Sequence, residues 1–221
     1  MAYQHRFANG QPCSWTLGKV VCVGRNYADH AKELNNPIPT EPMLFIKPAT
    51  SAVELESPFS IPQTLGSVHF ETEMSILIGN TLCHASEAEA KQAIAGIGLG
   101  LDLTLRDVQD NLKAKGHPWE KAKGFDGACP LSAFVEPALV PDLQDVSIRL
   151  RVNGEVRQDG NSSHMLNKVV PLISYISQFF TLQPGDVVLT GTPAGVGPIE
   201  SGDRLEVELT GILNCKTQVT G

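Results

Sequence analysis

The stretch VHFETEMSILIG, residues 68–79, alternates polar and apolar positions at first and then runs apolar up to Gly79 and Asn80. That pattern predicts a strand, Val68 to Ile78, that starts half-solvated and ends inside a core. Working outward toward the N-terminus, Lys19 to Val23 (KVVCV) reads as a buried strand running into Gly24. Ala28 to Leu34 is a short helix closed by the breakers Asn35, Asn36 and Pro37, and Met43 to Ile46 is another apolar strand. Ser57 to Gly66 is a loop, marked by Pro58, Pro62 and Gly66. In the other direction, Ser86 to Ala95 is a helix with Ser86 as its cap and Glu87 and Glu89 in its first turn. Ile97 to Leu103 follows as a glycine-spaced strand.

The second half carries clearer punctuation. Ile148, Leu150 and Val152 alternate with polar residues up to Asn153-Gly154, the strongest short hairpin signal, and Val156 resumes on the return strand. Ser163 is a candidate cap for a helix through Leu166, Val169, Val170, Ile173, Ile176 and Phe180. Pro171 inside that pattern predicts a kink or a later start. Asp186 to Thr190 is a strand, and Leu205, Val207 and Leu209 alternate in another, whereas Glu136 to Asp145 carries no signal. Many strands, few helices and no regular βαβ order predict a mixed α+β fold, arranged as one domain over residues 1–221.

Composition narrows the function. At 42% hydrophobic and 19% charged the chain is an ordinary globular protein, long enough to bury a core without staples. A net charge of −7 with no basic run excludes nucleic acid as a partner. Five scattered cysteines without a C-x-x-C pair read as reduced thiols. No apolar stretch approaches the ~20 residues of a membrane helix, and residues 1–15 lack a signal pattern. The expectation is a cytoplasmic protein with no membrane partner.

Several residues are candidates for chemistry. In a strand His69, Glu71 and Glu73 share one face at roughly 7 Å intervals. Carboxylates beside a core are costly unless paired or metal-bound, and converging acids suit a hard cation with oxygen ligands. The plain alternative is a solvated, charged strand face. Asp102 closes the apolar run Gly-Ile-Gly-Leu-Gly-Leu-Asp and is either a third acid for such a site or a cap for a helix over Thr104 to Leu112. His30 and Glu33 stand at i, i+3, the arrangement of a general base oriented by a carboxylate or simply of two surface neighbours. Lys123 carries no signal by itself, and Arg25 and Arg106 have the fork geometry to clamp a carboxylate, though most arginines are structural. Residues 185–198, GDVVLTGTPAGVGP, form a strand that breaks into a Gly/Pro loop. Its amides could approach an anion closely, or it is only a tight turn; it is neither a Walker loop nor a dinucleotide fingerprint.

Taken in order, VCVGRNYADHAKE (21–33), EPMLFIKP (41–48), VHFETEMSILIG (68–79), LDLTLRDVQ (101–109), PWEKAKGFDGACP (118–130) and GDVVLTGTPAGVGP (185–198) resemble the fumarylacetoacetate hydrolase family across nearly the whole chain. The short length resembles its acylpyruvase and oxaloacetate-handling branch. The resemblance implies a mixed β-roll, a homodimer, and Mg2+ or Mn2+ held by Glu71, Glu73 and Asp102. It implies a His30–Glu33 dyad, an active-site Lys123, and substrate contacts from Arg25, Arg106, Gln109 and Thr192. His69 stays open between a supporting and a structural part. The expected substrate is a small 2-oxo acid, and the leading expectation is hydrolysis of the C–C bond of acylpyruvates through a pyruvate enolate. Decarboxylation or keto–enol tautomerisation of oxaloacetate at the same site is the alternative. A 2-oxo-dienoate hydratase or isomerase and a non-catalytic dicarboxylate binder stand behind these.

Overall fold

In the computed structural model of the protein, residues 3–34 and 37–221 are described. The first half runs β1 (Lys19–Gly24), α1 (Ala28–Glu33), β2 (Met43–Pro48), β3 (Ala52–Glu54), β4 (Phe59–Ser60), β5 (Val68–Phe70) and β6 (Thr72–Ile78). Next come α2 (Glu87–Gln92), β7 (Ile94–Leu101), β8 (Thr104–Leu105), α3 (Arg106–Ala114), α4 (Glu120–Lys123) and β9 (Cys129–Leu131). The hairpin β10 (Ser147–Val152) and β11 (Glu155–Asn161) precedes α5 (Val169–Ser177) and β12 (Val187–Leu189). The chain ends with β13 (Gly197–Pro198), β14 (Arg204–Leu209) and β15 (Leu213–Thr220).

The strands form a seven-stranded sheet ordered β2-β1-β12-β6-β7-β9-β3, a five-stranded sheet ordered β11-β10-β14-β15-β4, and a small β13-β5-β8 sheet. The expected α+β organisation is what the structure has. Both faces of the large sheet are covered. Met74, Ile76, Ile97 and Leu99 point into the main core with Ile148, Leu150, Val207 and Leu209 of the five-stranded sheet and with α2 and α5. On the opposite face Leu77, Phe134, Leu131 and Leu189 form a second core with Cys13 and Leu17. Burial on both faces explains why the C-terminal part of β6 is an apolar run rather than an alternation.

β7 reads IAGIGLGL, and Gly96, Gly98 and Gly100 form a row on one face. A Cβ on Gly96 would lie 2.8 Å from Phe134 Cβ, and one on Gly100 would lie 2.6 Å from Leu189 Cδ2. Glycine in a strand costs roughly 0.5–1 kcal/mol relative to alanine, and here its use is the close approach of the second core.

Several expectations need correction. The strand expected over Val68 to Ile78 breaks at Glu71: β5 belongs to the small sheet and β6 to the large one. The Thr72 amide donates to Gln158 Oε1 at 3.0 Å instead of to a neighbouring strand. The strand does not continue across the break, and half-buried His69 pairs opposite Thr104 and Pro198 and is not grouped with the three acids. Ser163 caps no long helix; it lies in a 3-10 turn, and α5 starts later with Lys168 at its N-cap and Pro171 in its first turn, where the missing N–H costs nothing. The helix expected over Thr104 to Leu112 is α3, shifted to Arg106–Ala114 and preceded by Leu105, so Asp102 is no cap. Ser57 to Gly66 contains the short strand β4. Asn35 and Asn36, expected to close α1, lie outside the described residues.

Other readings hold. Ser86 accepts from the Glu89 amide and Glu89 returns the bond to the Ser86 amide, a full capping box at the start of α2, which ends at Gln92 rather than Ala95. Asn153 and Gly154 both take positive φ, +53° and +88°, as the tight hairpin between β10 and β11 requires. No helix among the described residues is long and apolar enough to cross a membrane.

Candidate active site

Three carboxylates meet where the large and small sheets join. Glu71 occupies the break between β5 and β6, Glu73 is the second residue of β6, and Asp102 follows the last residue of β7. The Asp102 amide donates to the Glu71 carbonyl at 2.8 Å, and Glu73 pairs opposite Gly100. These main-chain rungs bring one oxygen from each acid within 4.8 Å of the others. All three side chains are buried.

Cations surround them. Lys123 Nζ, at the end of α4, donates to Glu71 Oε2 at 2.9 Å and to Asp102 Oδ2 at 2.7 Å. Arg106, the first residue of α3, donates from Nη2 to Glu71 Oε1 at 2.5 Å and from Nη1 to Gln109 Oε1 at 2.8 Å. Burial would raise the Glu71 carboxyl, but Lys123 and Arg106 outweigh it and hold it well below the usual range. Burial would lower the Lys123 ammonium, but Asp102 and Glu71 reverse that and keep it charged. Glu73 goes the other way. Burial and then repulsion from Asp102 and Glu71 push its carboxyl well above normal, against a short bond from the Gly191 amide at 2.6 Å.

This arrangement fits a hard divalent cation. The donors are all carboxylate oxygens, and the repulsion that burdens Glu73 is what a bound cation would relieve.

A narrow cleft, with about 30 Å3 of room, opens beside the acids. Glu71, Lys123, Arg106, Gln109, His30 and Arg25 are among the residues that line it, together with the aromatic rings of Phe45 and Trp119. His30 is buried on α1, with Nδ1 3.4 Å from Glu33 Oε2. Arg25 takes φ +58°, a conformation that costs a non-glycine residue about 1–3 kcal/mol and is held here at the edge of the cleft. Thr192 is placed differently: it is buried, its Oγ1 accepts from Gln158 Nε2 at 2.7 Å, and it is not among the residues lining the cleft.

The Gly/Pro loop after β12 does bring amides to anions, and the anions are the chain's own carboxylates. Gly191 reaches Glu73, and the Gly195 amide donates to Glu33 at 3.0 and 3.2 Å. Both glycines have φ near +95°, at +91° and +99°. The loop thus fixes one metal-ligand candidate and the acid that orients His30.

Sequence reasoning missed three supporting residues. Lys47 lies fully buried behind Asp102, Gln158 ties Thr72 to Thr192 and Pro193, and Asn26 donates to the carbonyls of Thr190 and Asn167. Lys47 and Asn26 fall inside the quoted motifs, but a lysine ending a strand and an asparagine before a helix look like surface residues. Gln158 alternates on a hairpin strand and gave no signal.

The chain belongs to the fumarylacetoacetate (FAA) hydrolase family, whose C-terminal region matches residues 19–220. Among its relatives, oxaloacetate tautomerase YcgM of Escherichia coli (strain K12) is 54% identical over 95% of this chain and 96% of its own length. The mitochondrial oxaloacetate tautomerase FAHD1 of Bos taurus is 45% identical over 93% of each chain. A fumarylacetoacetate hydrolase family protein from Yersinia pestis CO92 superposes with a TM-score of 0.96 at 51% identity, covering 98% of this chain and 100% of that one. Fumarylpyruvate hydrolase from Pseudomonas aeruginosa, in complex with Mn2+ and pyruvate, superposes at 0.92 with 34% identity, covering 100% and 97%. The expected β-roll fold and family membership both stand, and the chain is an enzyme of this family.

Proposed function

We propose that the chain is a Mg2+- or Mn2+-dependent oxaloacetate keto–enol tautomerase. The observation that carries the reading is the 54% identity, over nearly both full lengths, to a protein named for that activity. This shifts weight from acylpyruvate hydrolysis, the leading expectation above, to its stated alternative. The geometry supports it, because tautomerisation needs only charge stabilisation and one movable proton.

A divalent cation held by Glu71, Glu73 and Asp102 would polarise the 2-oxo group as a Lewis acid. The chain's own residues do the rest. Arg106 and Arg25 bind a carboxylate of the substrate at the cleft wall. Lys123, kept charged by its two acids, stands beside the position where negative charge develops on the oxo oxygen. His30 gives its Nδ1 proton to the bond with Glu33, which leaves Nε2 as the basic nitrogen that takes the proton from carbon and delivers it to the oxo oxygen to form the enol, or carries it from the enol oxygen back to carbon. Phe45 and Trp119, whose ring centroids lie 6.0 Å apart, give the cleft an apolar part. Homodimerisation belongs to the same proposal, and sedimentation tests it.

Hydrolysis of acylpyruvates is the second reading. A histidine oriented by a carboxylate is also the arrangement that activates water, and a neighbour at 34% identity was crystallised with Mn2+ and pyruvate. One experiment separates the two. The ultraviolet absorbance of enol-oxaloacetate is followed with Mg2+, with Mn2+ and with chelator, beside pyruvate release from acetylpyruvate and fumarylpyruvate. Metal-dependent loss of the enol signal, faster than any pyruvate release, supports the tautomerase. Efficient acylpyruvate cleavage with no acceleration of enol loss replaces it with the hydrolase.

A further inference from the structure

β2 inverts the usual order of burial. Its apolar residues Met43, Leu44, Phe45 and Ile46 are half-buried, whereas Lys47 is wholly buried. An ammonium removed from water needs partners for every proton. It has three N–H donors, and all three go to main-chain carbonyls: Leu103 at 3.1 Å, Ala128 at 3.0 Å, and Lys123. Asp102 Oδ1 lies 2.7 Å from the same nitrogen as a charge contact. The partners come from three separate segments: the turn after β7, the end of α4 and the approach to β9.

An apolar side chain of similar length commonly serves stability as well as a buried ion pair does. The choice of lysine is explained by what it touches. Asp102 has a cation on both sides: Lys123 donates to Oδ2, and the Lys47 charge faces Oδ1, which has no hydrogen-bond partner among the described residues. Lys47 also holds the carbonyl from which the Lys123 side chain departs.

We infer that Lys47 is a positioning residue, which sets the orientation of the Asp102 carboxylate and the backbone origin of Lys123 from behind the cleft. It is absent from the residues lining the cleft, so it acts through those two groups. The inference rests on the metal reading above and extends it to a residue outside the cleft.

The test is a Mn2+ titration of the Lys47→Met protein, followed by electron paramagnetic resonance of free Mn2+ without substrate. Circular dichroism reports the fold. Loss of a supporting contact to a metal ligand weakens affinity by about 10–100-fold, and that is the expected result. At saturating Mn2+, kcat stays at least about tenfold below the unsubstituted enzyme, because Lys123 has also lost its support. Mn2+ affinity that is unchanged or tighter in a folded variant overturns the inference, because a purely structural lysine would alter only the melting temperature and a merely repulsive one would oppose the cation. Full recovery of kcat at saturating Mn2+ overturns the link to Lys123. If Lys47→Met does not accumulate as folded protein, Lys47→Gln, which keeps an N–H donor, carries the same titration with the same outcomes. An unsubstituted chain that takes up no Mn2+ overturns the metal reading, and the role of Lys47 with it.

Discussion

The Gly191 amide donates to Glu73 Oε2 at 2.6 Å, and Gly191 can do so because its φ is +91°. A Cβ there would stand 2.6 Å from Asn26 Cβ, which is itself anchored through the Thr190 carbonyl. Gly191→Ala must therefore strain the turn or withdraw the amide. The expected outcome is a stability loss of at least about 1–3 kcal/mol in urea unfolding, with weaker Mn2+ uptake. Wild-type unfolding and uptake together would show that the turn adjusts freely and that the amide does not position Glu73.

Metal dependence should be complete and reversible. Dialysis against chelator is expected to abolish activity, and Mg2+ or Mn2+ to restore it. Glu71→Ala should be inactive except at very high metal, since it removes a ligand candidate and also leaves Lys123 and Arg106 without their shared acid. Full activity in chelator would dismiss the carboxylate cluster as the site.

The dyad can be divided by substitution. His30→Ala is expected to lower proton transfer about 100-fold or more, the usual share of a general acid–base group. Glu33→Gln should do less, because its amide oxygen still accepts from Gly195 while the charge that orients His30 is gone. Steady-state kinetics on both proteins check this, and equal losses would mean that Glu33 acts by more than orientation. If acylpyruvate is cleaved as well, His30→Ala should damage hydrolysis more than decarboxylation, which needs no water.

A pH effect on stability is expected from His5. Its Nε2 faces the Gly185 carbonyl at 2.8 Å, and a carbonyl can only accept, so Nε2 carries the proton and buried Nδ1 has no hydrogen-bond partner among the described residues. Burial lowers its pKa below the ordinary 6.5. The unfolded chain therefore binds more protons than the native one between the depressed value and 6.5. The stabilisation is fully present above 6.5 and is lost as pH falls toward the depressed value. Urea midpoints measured across this window should fall with acid for the wild type and less steeply for His5→Gln. Parallel curves would assign the slope to other groups.

The sequence was most legible where local chemistry decides structure. The Asn153-Gly154 turn, the Ser86 cap and the apolar run of β6 are each set by a few adjacent residues. Glu71 and Glu73 stood out as an E-x-E pair and Asp102 as the acid closing an apolar strand, but it was the family resemblance that joined the three into one set. What stayed hidden depends on partners distant in the chain. The strand break at Glu71 is made by Gln158, 86 residues from the Thr72 amide it accepts, and the burial of Lys47 is made by carbonyls 56 to 81 residues away. No periodicity reports such closures.

The site draws on two kinds of scaffold. The acids Glu71, Glu73 and Asp102 are on or beside the central strands β6 and β7, whereas His30, Arg106 and Gln109 ride on the short helices α1 and α3. On the proposed function, selection, natural or in the laboratory, could therefore reshape which substrate is accepted without disturbing the carboxylates that would hold the cation. A library varied at Arg25, Leu34, Met43, Gln109 and Trp119 would explore new substrates while β6 and β7, fixed between two cores, keep the carboxylate cluster constant.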